Sequence, residues 1–346
     1  MAVAGDIDLV AGAGTHLDTH TAALCDGRGR ELSQLRVPAT TAGYAQLLAW
    51  ARPAAAGRRA AWAVDSTRHY GLGLARYLGG EGEDVAEIDC SRHVGRRRGG
   101  KSDAIDAVRA ARELLARPWP AQMRSDGDRE ALRLLMVDRD NAVQSAKTAR
   151  TALASVLVTA PAPLRDQLRG LSGERRVRQC AALTCPSGAG RQARIVHQTL
   201  IHLARRAAAL TQAAADLKAQ ITQIVDDMAP GLVAAEPGPG AISAAQILLS
   251  WSHAGRIRSE AAFAMLSGTA PVPVSSGRTD RHRLSRLGDR QLNRAIHVIA
   301  VTRMRCHPAT TAYVQRRQAE GKTGKEIRRC IKRYLARHIY RTLNST

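Results

Sequence analysis

Aromatic side chains are scarce in this chain: one Phe, four Trp and six Tyr make up 3% of 346 residues. A helix lying on a membrane surface anchors through Trp and Phe on an apolar face, and a spanning helix needs about 20 consecutive apolar residues. Neither pattern occurs, so no membrane partner is expected. Cys25, Cys90, Cys180, Cys185, Cys306 and Cys330 are scattered, with no Cys-x-x-Cys pair and no matching His spacing. That argues against a zinc framework and reads as reduced thiols. The start of the chain has Asp6 and Asp8 where a secretory signal has a basic region and a long apolar core, which points to the cytoplasm. Acidic residues are also few: 30 Asp and Glu face 52 Lys and Arg, a formal net charge of +22. An excess of this size points to a polyanionic partner, with nucleic acid first among them.

What is present divides into three stretches, since 346 residues exceed one domain of ordinary size. The first alternates strand and helix patterns. The apolar run 8–13 reads as a buried strand, and 21–25 with 31–37 as a hairpin around Asp26-Gly27-Arg28-Gly29-Arg30. Helical spacing follows at 41–51, a buried strand at 60–64 ending in Asp65, a helix at 72–78, a strand at 84–88 and a helix from Asp103 to about Ala116. This is an α/β pattern. Residues 129–158 then carry no Pro or Gly and predict one long helix, whereas Gly170, Gly173, Pro186, Gly188 and Gly190 make 161–190 a looser segment. From Val196 to Ile224, apolar residues alternate steps of four and three, the coiled-coil signature. Its partner is either a second chain or the 129–158 helix running antiparallel. The last stretch is helical at 242–251 and 260–266, with 268–277 an extended Pro-flanked loop before a densely basic run.

Three groups of residues could carry chemistry. Asp103 and Asp106 open a helix directly after the basic loop Arg96-Arg97-Arg98-Gly99-Gly100-Lys101. Their spacing puts both on one face at the positive end of the helix dipole, either as capping residues or as a pair that shares a cation. Asp65, at a strand end of the same region, would complete an acidic set able to hold divalent metal at a phosphodiester. Ser275-Ser276-Gly277 is either a flexible turn or a nucleophile beside Arg278, Arg281, Arg283, Arg286 and Arg290, which would orient phosphates. His16-Leu17-Asp18-Thr19-His20 looks like a ligand cluster, yet nothing elsewhere completes a zinc set. It is read as a turn held by the Asp18 and Thr19 side chains.

The order of these blocks resembles the DEDD-type transposases of insertion-sequence family 110. Thr15 to Ala23, Val64-Asp65 with Tyr70 to Arg76, and Lys101 to Ala107 are similar to that family's N-terminal half. Arg258 to Phe263, Gly268 to Pro273, Ser275 to Gly277, Arg281 to Leu284, Gly288 to Asn293 and Arg328 to Tyr334 are similar to its C-terminal transposase domain. The resemblance implies an RNase H-like (Holliday-junction-resolvase-like) DEDD domain over 1–120, a coiled-coil oligomerisation region over 121–232 and a helical transposase domain over 233–346. It implies excision and insertion of the protein's own element in donor and target DNA, guidance by a structured noncoding RNA, and a homodimer or homotetramer. It further implies Mg²⁺ on the acidic set and a serine that forms a covalent link to DNA. By position, Asp65 takes the second acidic place, normally Glu, Asp103 and Asp106 take the third and fourth, and Ser276 is the nucleophile with Ser275 as second choice. The family's first Asp falls at Gly14, which has no side chain to offer. Two other functions remain open: a Holliday-junction-type endonuclease, and a noncatalytic RNA- or DNA-binding relic.

Overall fold

A computed structural model describes residues 7–65, 67, 69–88, 103–117, 121–234, 240–277, 279–283, 285 and 288–345. The chain forms two compact units, Met1–Arg124 and Ser125–Thr346. Among the described residues, no helix is long and apolar enough to cross a membrane.

The first unit is a mixed α/β layer structure. Strands β1 (Leu9–Thr15), β2 (Thr19–Asp26) and β3 (Glu31–Pro38) form an antiparallel meander, followed by α1 (Thr41–Ala55), β4 (Ala60–Asp65), α2 (Leu72–Gly80), β5 (Val85–Ile88), α3 (Asp103–Leu115) and the short β6 (Ala121–Gln122). The strand order is β3-β2-β1-β4-β5-β6, with β1, β4 and β5 parallel to one another. The central strands are apolar because both faces of the sheet are covered. Leu9, Ala11 and Ala13 of β1 and Val64 of β4 pack toward Leu47 and Leu48 of α1 and Leu74 and Leu78 of α2. Val10 and Ala63 face Ala107, Ala111 and Leu114 of α3 on the other side. Gly12 makes that second contact close: a Cβ there would stand 2.1 Å from the Ala107 carbonyl oxygen and 2.6 Å from the Ala111 nitrogen. Helix α3 therefore rests on the backbone of β1, and the alanines of its inner face are what permit the approach.

The second unit is helical. Helices α4 (Asp128–Val158) and α7 (Arg191–Met228) are its longest elements, with α5 (Ala162–Arg169) and α6 (Gly173–Ala181) between them. Leu153 and Leu157 of α4 share a core with Leu200 and Ala204 of α7, while Leu132 and Met136 share another with Ile221 and Val225. Early residues of one helix thus meet late residues of the other, and Arg150 donates to Thr211 Oγ1 between these ends at 2.8 Å. The two run antiparallel, so the apolar stripe of α7 has its partner within the chain. The segment read as loose contains α5 and α6, whose Leu164, Leu168, Val177 and Cys180 are buried against α4 and α7.

The rest of the unit comprises α8 (Pro230–Ala234), α9 (Ala241–Trp251), α10 (Glu260–Leu266), the hairpin β7 (Val272–Ser276) and β8 (Thr279–Arg283), then α11 (Arg290–Cys306), α12 (Pro308–Ala319) and α13 (Gly324–Asn344). Phe263, the chain's one Phe, is fully buried among Leu248, Ile296 and Ile331. The stretch read as an extended loop contains β7, and part of the basic run lies on β8, because Gly277 at φ +57° turns the chain back into a two-stranded pairing. Helix α13 starts with a capping box, in which Glu326 accepts from the Thr323 backbone at 2.9 Å while its own N–H donates to Thr323 Oγ1.

Candidate functional site

Three acidic residues of the first unit, Asp65, Asp103 and Asp106, border Gly14. Gly14 lies one step beyond the last parallel pair of β1 and β4, Ala13 with Val64, so its neighbour in register is Asp65. Alternation along β4 turns Val64 to the α1–α2 face and Ala63 to the α3 face, so Asp65 points toward α3. Asp103 and Asp106 fall in the first turn of that helix, as their spacing predicts. A Cβ on Gly14 would lie 3.1 Å from the Asp103 carbonyl oxygen and 3.6 Å from Asp106 Cβ. One position therefore borders all three carboxylate-bearing residues, and it is the position without a side chain.

The neighbouring side chains hold this corner together. Thr15 Oγ1 donates to the Asp65 carbonyl oxygen at 3.0 Å, tying the ends of β1 and β4. His16 Nε2 lies 3.0 Å from Asp103 Oδ1, and Arg109 donates to Asp106 Oδ1 at 3.1 Å. Each carboxylate of the α3 pair thus has a cationic or cation-forming partner from within the unit. His20 has gone elsewhere: it is fully buried on the α1 face, stacked on Tyr44 with ring centroids 5.5 Å apart. Burial pushes its pKa down, and neither ring nitrogen has a hydrogen-bond partner among the described residues. The turn between β1 and β2 is closed by the backbone, from His16 N–H to the Thr19 carbonyl at 3.1 Å. Main chain, and not the Asp18 and Thr19 side chains, makes that turn.

The Mg²⁺ implied by the resemblance does not fit the residues as they stand. Among those described, no group of three or more His, Cys, Asp or Glu side chains is arranged to hold a metal ion. Gly14, which Asp65, Asp103 and Asp106 border, contributes no side chain to such a group.

The remaining sequence candidates are distributed as follows. Ser275 and Ser276 end β7, paired with Asp280 and Thr279, and Arg281 lies on β8; their backbone positions are given, their side chains are not described. Arg283 is exposed at the far end of β8 from the turn, and Arg290 is exposed at the first turn of α11, next to the cap Asp289. Arg96, Arg97, Arg98, Lys101, Arg278 and Arg286 lie outside the described residues. Two features of the corner escaped sequence reasoning, the Thr15 tie to Asp65 and the His16 contact with Asp103. The Thr-His dipeptide beside Gly14 was their one signal.

An acidic corner at the carboxyl ends of parallel strands, in a chain with a surplus of 22 positive charges, is consistent with the class of proteins that bind nucleic-acid phosphates. Comparison with known proteins narrows the class. Residues 11–160 match the family model of DEDD-type IS110 transposases, and residues 232–315 match that of the transposase IS116/IS110/IS902 family. Over 129 residues the chain is 34% identical to an uncharacterized 43.6 kDa protein of insertion element IS110 from Streptomyces coelicolor. That alignment covers 36% of this chain and 29% of the relative's length. The chain belongs to the IS110 family of transposases.

Proposed function

We propose that the chain is a DNA transposase or recombinase that excises and inserts its own insertion sequence, guided by a noncoding RNA, and that its acidic corner is one carboxylate short. Family membership supports the reaction class. The observation that carries the reading of the site is the convergence of Asp65, Asp103 and Asp106 on Gly14. The sheet order, an antiparallel meander followed by parallel β4 and β5, supports an RNase H-like fold for the first unit.

In this reading Ser276 is the nucleophile, with Ser275 the second choice. Its Oγ forms a bond to phosphorus as one bridging P–O bond breaks; the hydroxyl proton leaves and the released DNA end takes one up. The link preserves the ester for rejoining, which hydrolysis would not. Basic residues of the hairpin and of α11, Arg281, Arg283 and Arg290 among them, contact DNA phosphates. Asp103 and Asp106 remain the best-placed acidic residues. Gly14 weakens their centre and favours a protein that binds its substrates better than it cuts them. The three-part organisation, with 121–232 mediating self-association as a dimer or tetramer, belongs to the same proposal; because the α7 stripe is already paired with α4, that self-association would use other faces of the region.

Strand transfer with a donor carrying the element ends, compared between the native chain, Gly14→Asp and Ser276→Ala, tests it. Gly14→Asp is expected to raise turnover by at least about tenfold, the scale on which metal-site residues act, and Ser276→Ala to abolish it. Cleavage unaffected by Ser276→Ala would instead support a Holliday-junction-type hydrolase. Robust, equal turnover by the native chain and Gly14→Asp would refute the short-handed acidic corner.

A further inference from the structure

A second site lies wholly within the helical unit. A cleft of about 1010 Å³ opens between the base of the β7–β8 hairpin and α13, lined among others by Arg283, Lys322, Arg329, Lys332 and Tyr334. Lys332 is the unusual member. Only 8% of it is exposed, and its ammonium donates to Asn293 Oδ1 on α11 at 2.7 Å, its one hydrogen bond among the described residues. Asn293 is itself fixed, since its Nδ2 donates to the Ser267 carbonyl at 2.6 Å.

A buried ammonium with a single neutral acceptor is costly, and proteins ordinarily supply a carboxylate. Here the carboxylates near the cleft are already engaged. Glu326 is held in the Thr323 capping box, and Glu260 is bound by Arg333, Arg337 and Arg341. Burial first, and then the like charge of Arg328, lower the pKa of Lys332; His297 is lowered first by burial and then by Lys332, so the charge that bears on Lys332 has its own sign. An ammonium kept waiting by Asn293, with more cations around the rim, is preorganised for an anion from outside.

Tyr334 indicates what kind of anion. It is 55% exposed in the same cleft, and its ring is braced edge-on by Tyr313 at 5.9 Å, with the Arg316 guanidinium over the Tyr313 ring. A braced, exposed ring beside a row of cations is the arrangement on which an unpaired base stacks while its backbone follows the charge. We propose that this cleft seats a single-stranded segment of nucleic acid, with a phosphodiester on the Lys332 ammonium and a base against Tyr334. For the identity of its ligand the inference rests on the reading of the chain as a DNA-processing protein. The seat itself rests on the burial and contacts of Lys332, Asn293 and Tyr334.

The test is fluorescence anisotropy of the full chain with labelled oligo-dT and oligo-U over a series of salt concentrations. Lys332→Met is expected to weaken binding about tenfold and to reduce the slope of log K against log salt by about 0.7, one phosphate contact on a single strand. Lys332→Arg should keep the slope. Tyr334→Ala should weaken binding at least about fivefold with the slope unchanged, as loss of one stacked base does. Lys322→Met, at the exposed rim, carries the charge test if Lys332→Met unfolds. A tether between α11 and α13 with no ligand would move the melting temperature and leave the salt slope where it was. Weakening with oligo-dT alone assigns the seat to DNA, with oligo-U alone to RNA, and with both to the shared backbone. Native-like affinity and slope in Lys332→Met, Lys322→Met and Tyr334→Ala would overturn the seat. A native chain that binds neither oligonucleotide would overturn the nucleic-acid reading with it.

Discussion

Gly14→Asp, with Gly14→Ala as its control, separates the space at this position from its charge. A Cβ at 14 would stand 3.1 Å from the Asp103 carbonyl oxygen and 3.4 Å from the Ala107 nitrogen, so the first turn of α3 must yield by a few tenths of an ångström. That crowding costs about 1 kcal/mol, at the low end of overpacking. It is largely offset by the 0.5–1 kcal/mol or so that a strand recovers when Gly is replaced. Gly14→Ala is therefore expected to lie within about 1 kcal/mol of the native chain. Aspartate adds a carboxylate next to Asp106, whose Cβ is 3.6 Å from the new Cβ. Two carboxylates roughly 5 Å apart repel by about 3 kcal/mol at an effective dielectric near 20. The side chains of Asp103 and Asp106 are 33% and 28% exposed and are paired with His16 and Arg109, which reduces the net effect to about 1–2 kcal/mol. In chelator, urea unfolding should find Gly14→Asp less stable than Gly14→Ala by that margin. Magnesium should reverse the order, because an ion at about 100 times its dissociation constant stabilises by roughly 2.7 kcal/mol. An identical magnesium response in the two variants would show that position 14 does not complete a cation site.

Two further perturbations probe the frame around the sites. Gly12→Ala would drive a Cβ to 2.1 Å from the Ala107 carbonyl, so α3 must lift from β1; a loss of about 3 kcal/mol or more in urea unfolding is expected, far above that of Gly14→Ala. Glu260 is held below the usual carboxylate range, chiefly by the hydrogen bond from Arg337 and then by Arg333. Its contribution to stability is complete above the ordinary glutamate range and is lost as pH falls through the depressed folded value. Thermal melts from about pH 6 to pH 3 should show the native chain and Glu260→Gln converging as acid is added.

Local pattern made much of the first unit legible. The apolar strands and the Asp103–Asp106 pair can be read along the chain, because strand burial and first-turn acids are written in consecutive residues. That Gly14, Asp65 and Asp106 adjoin was not legible, since it depends on the parallel pairing of β1 with β4 and on how closely Gly12 lets α3 approach. The four-three stripe of α7 announced a buried face but not its partner, which only the antiparallel meeting with α4 supplies. Helices α5 and α6 were hidden by Gly and Pro at their ends, where the breakers act as boundaries and leave short amphipathic turns between them. Lys332 looked like one more cation in a basic run. Its burial is a tertiary fact set by Asn293, thirty-nine residues away.

The most direct measurement is strand transfer by the native chain and Gly14→Asp, side by side, on a donor with the element's own ends. At least about a tenfold gain on restoring the carboxylate is expected if the acidic corner is short of one ligand. Equal and robust turnover by both proteins would contradict it.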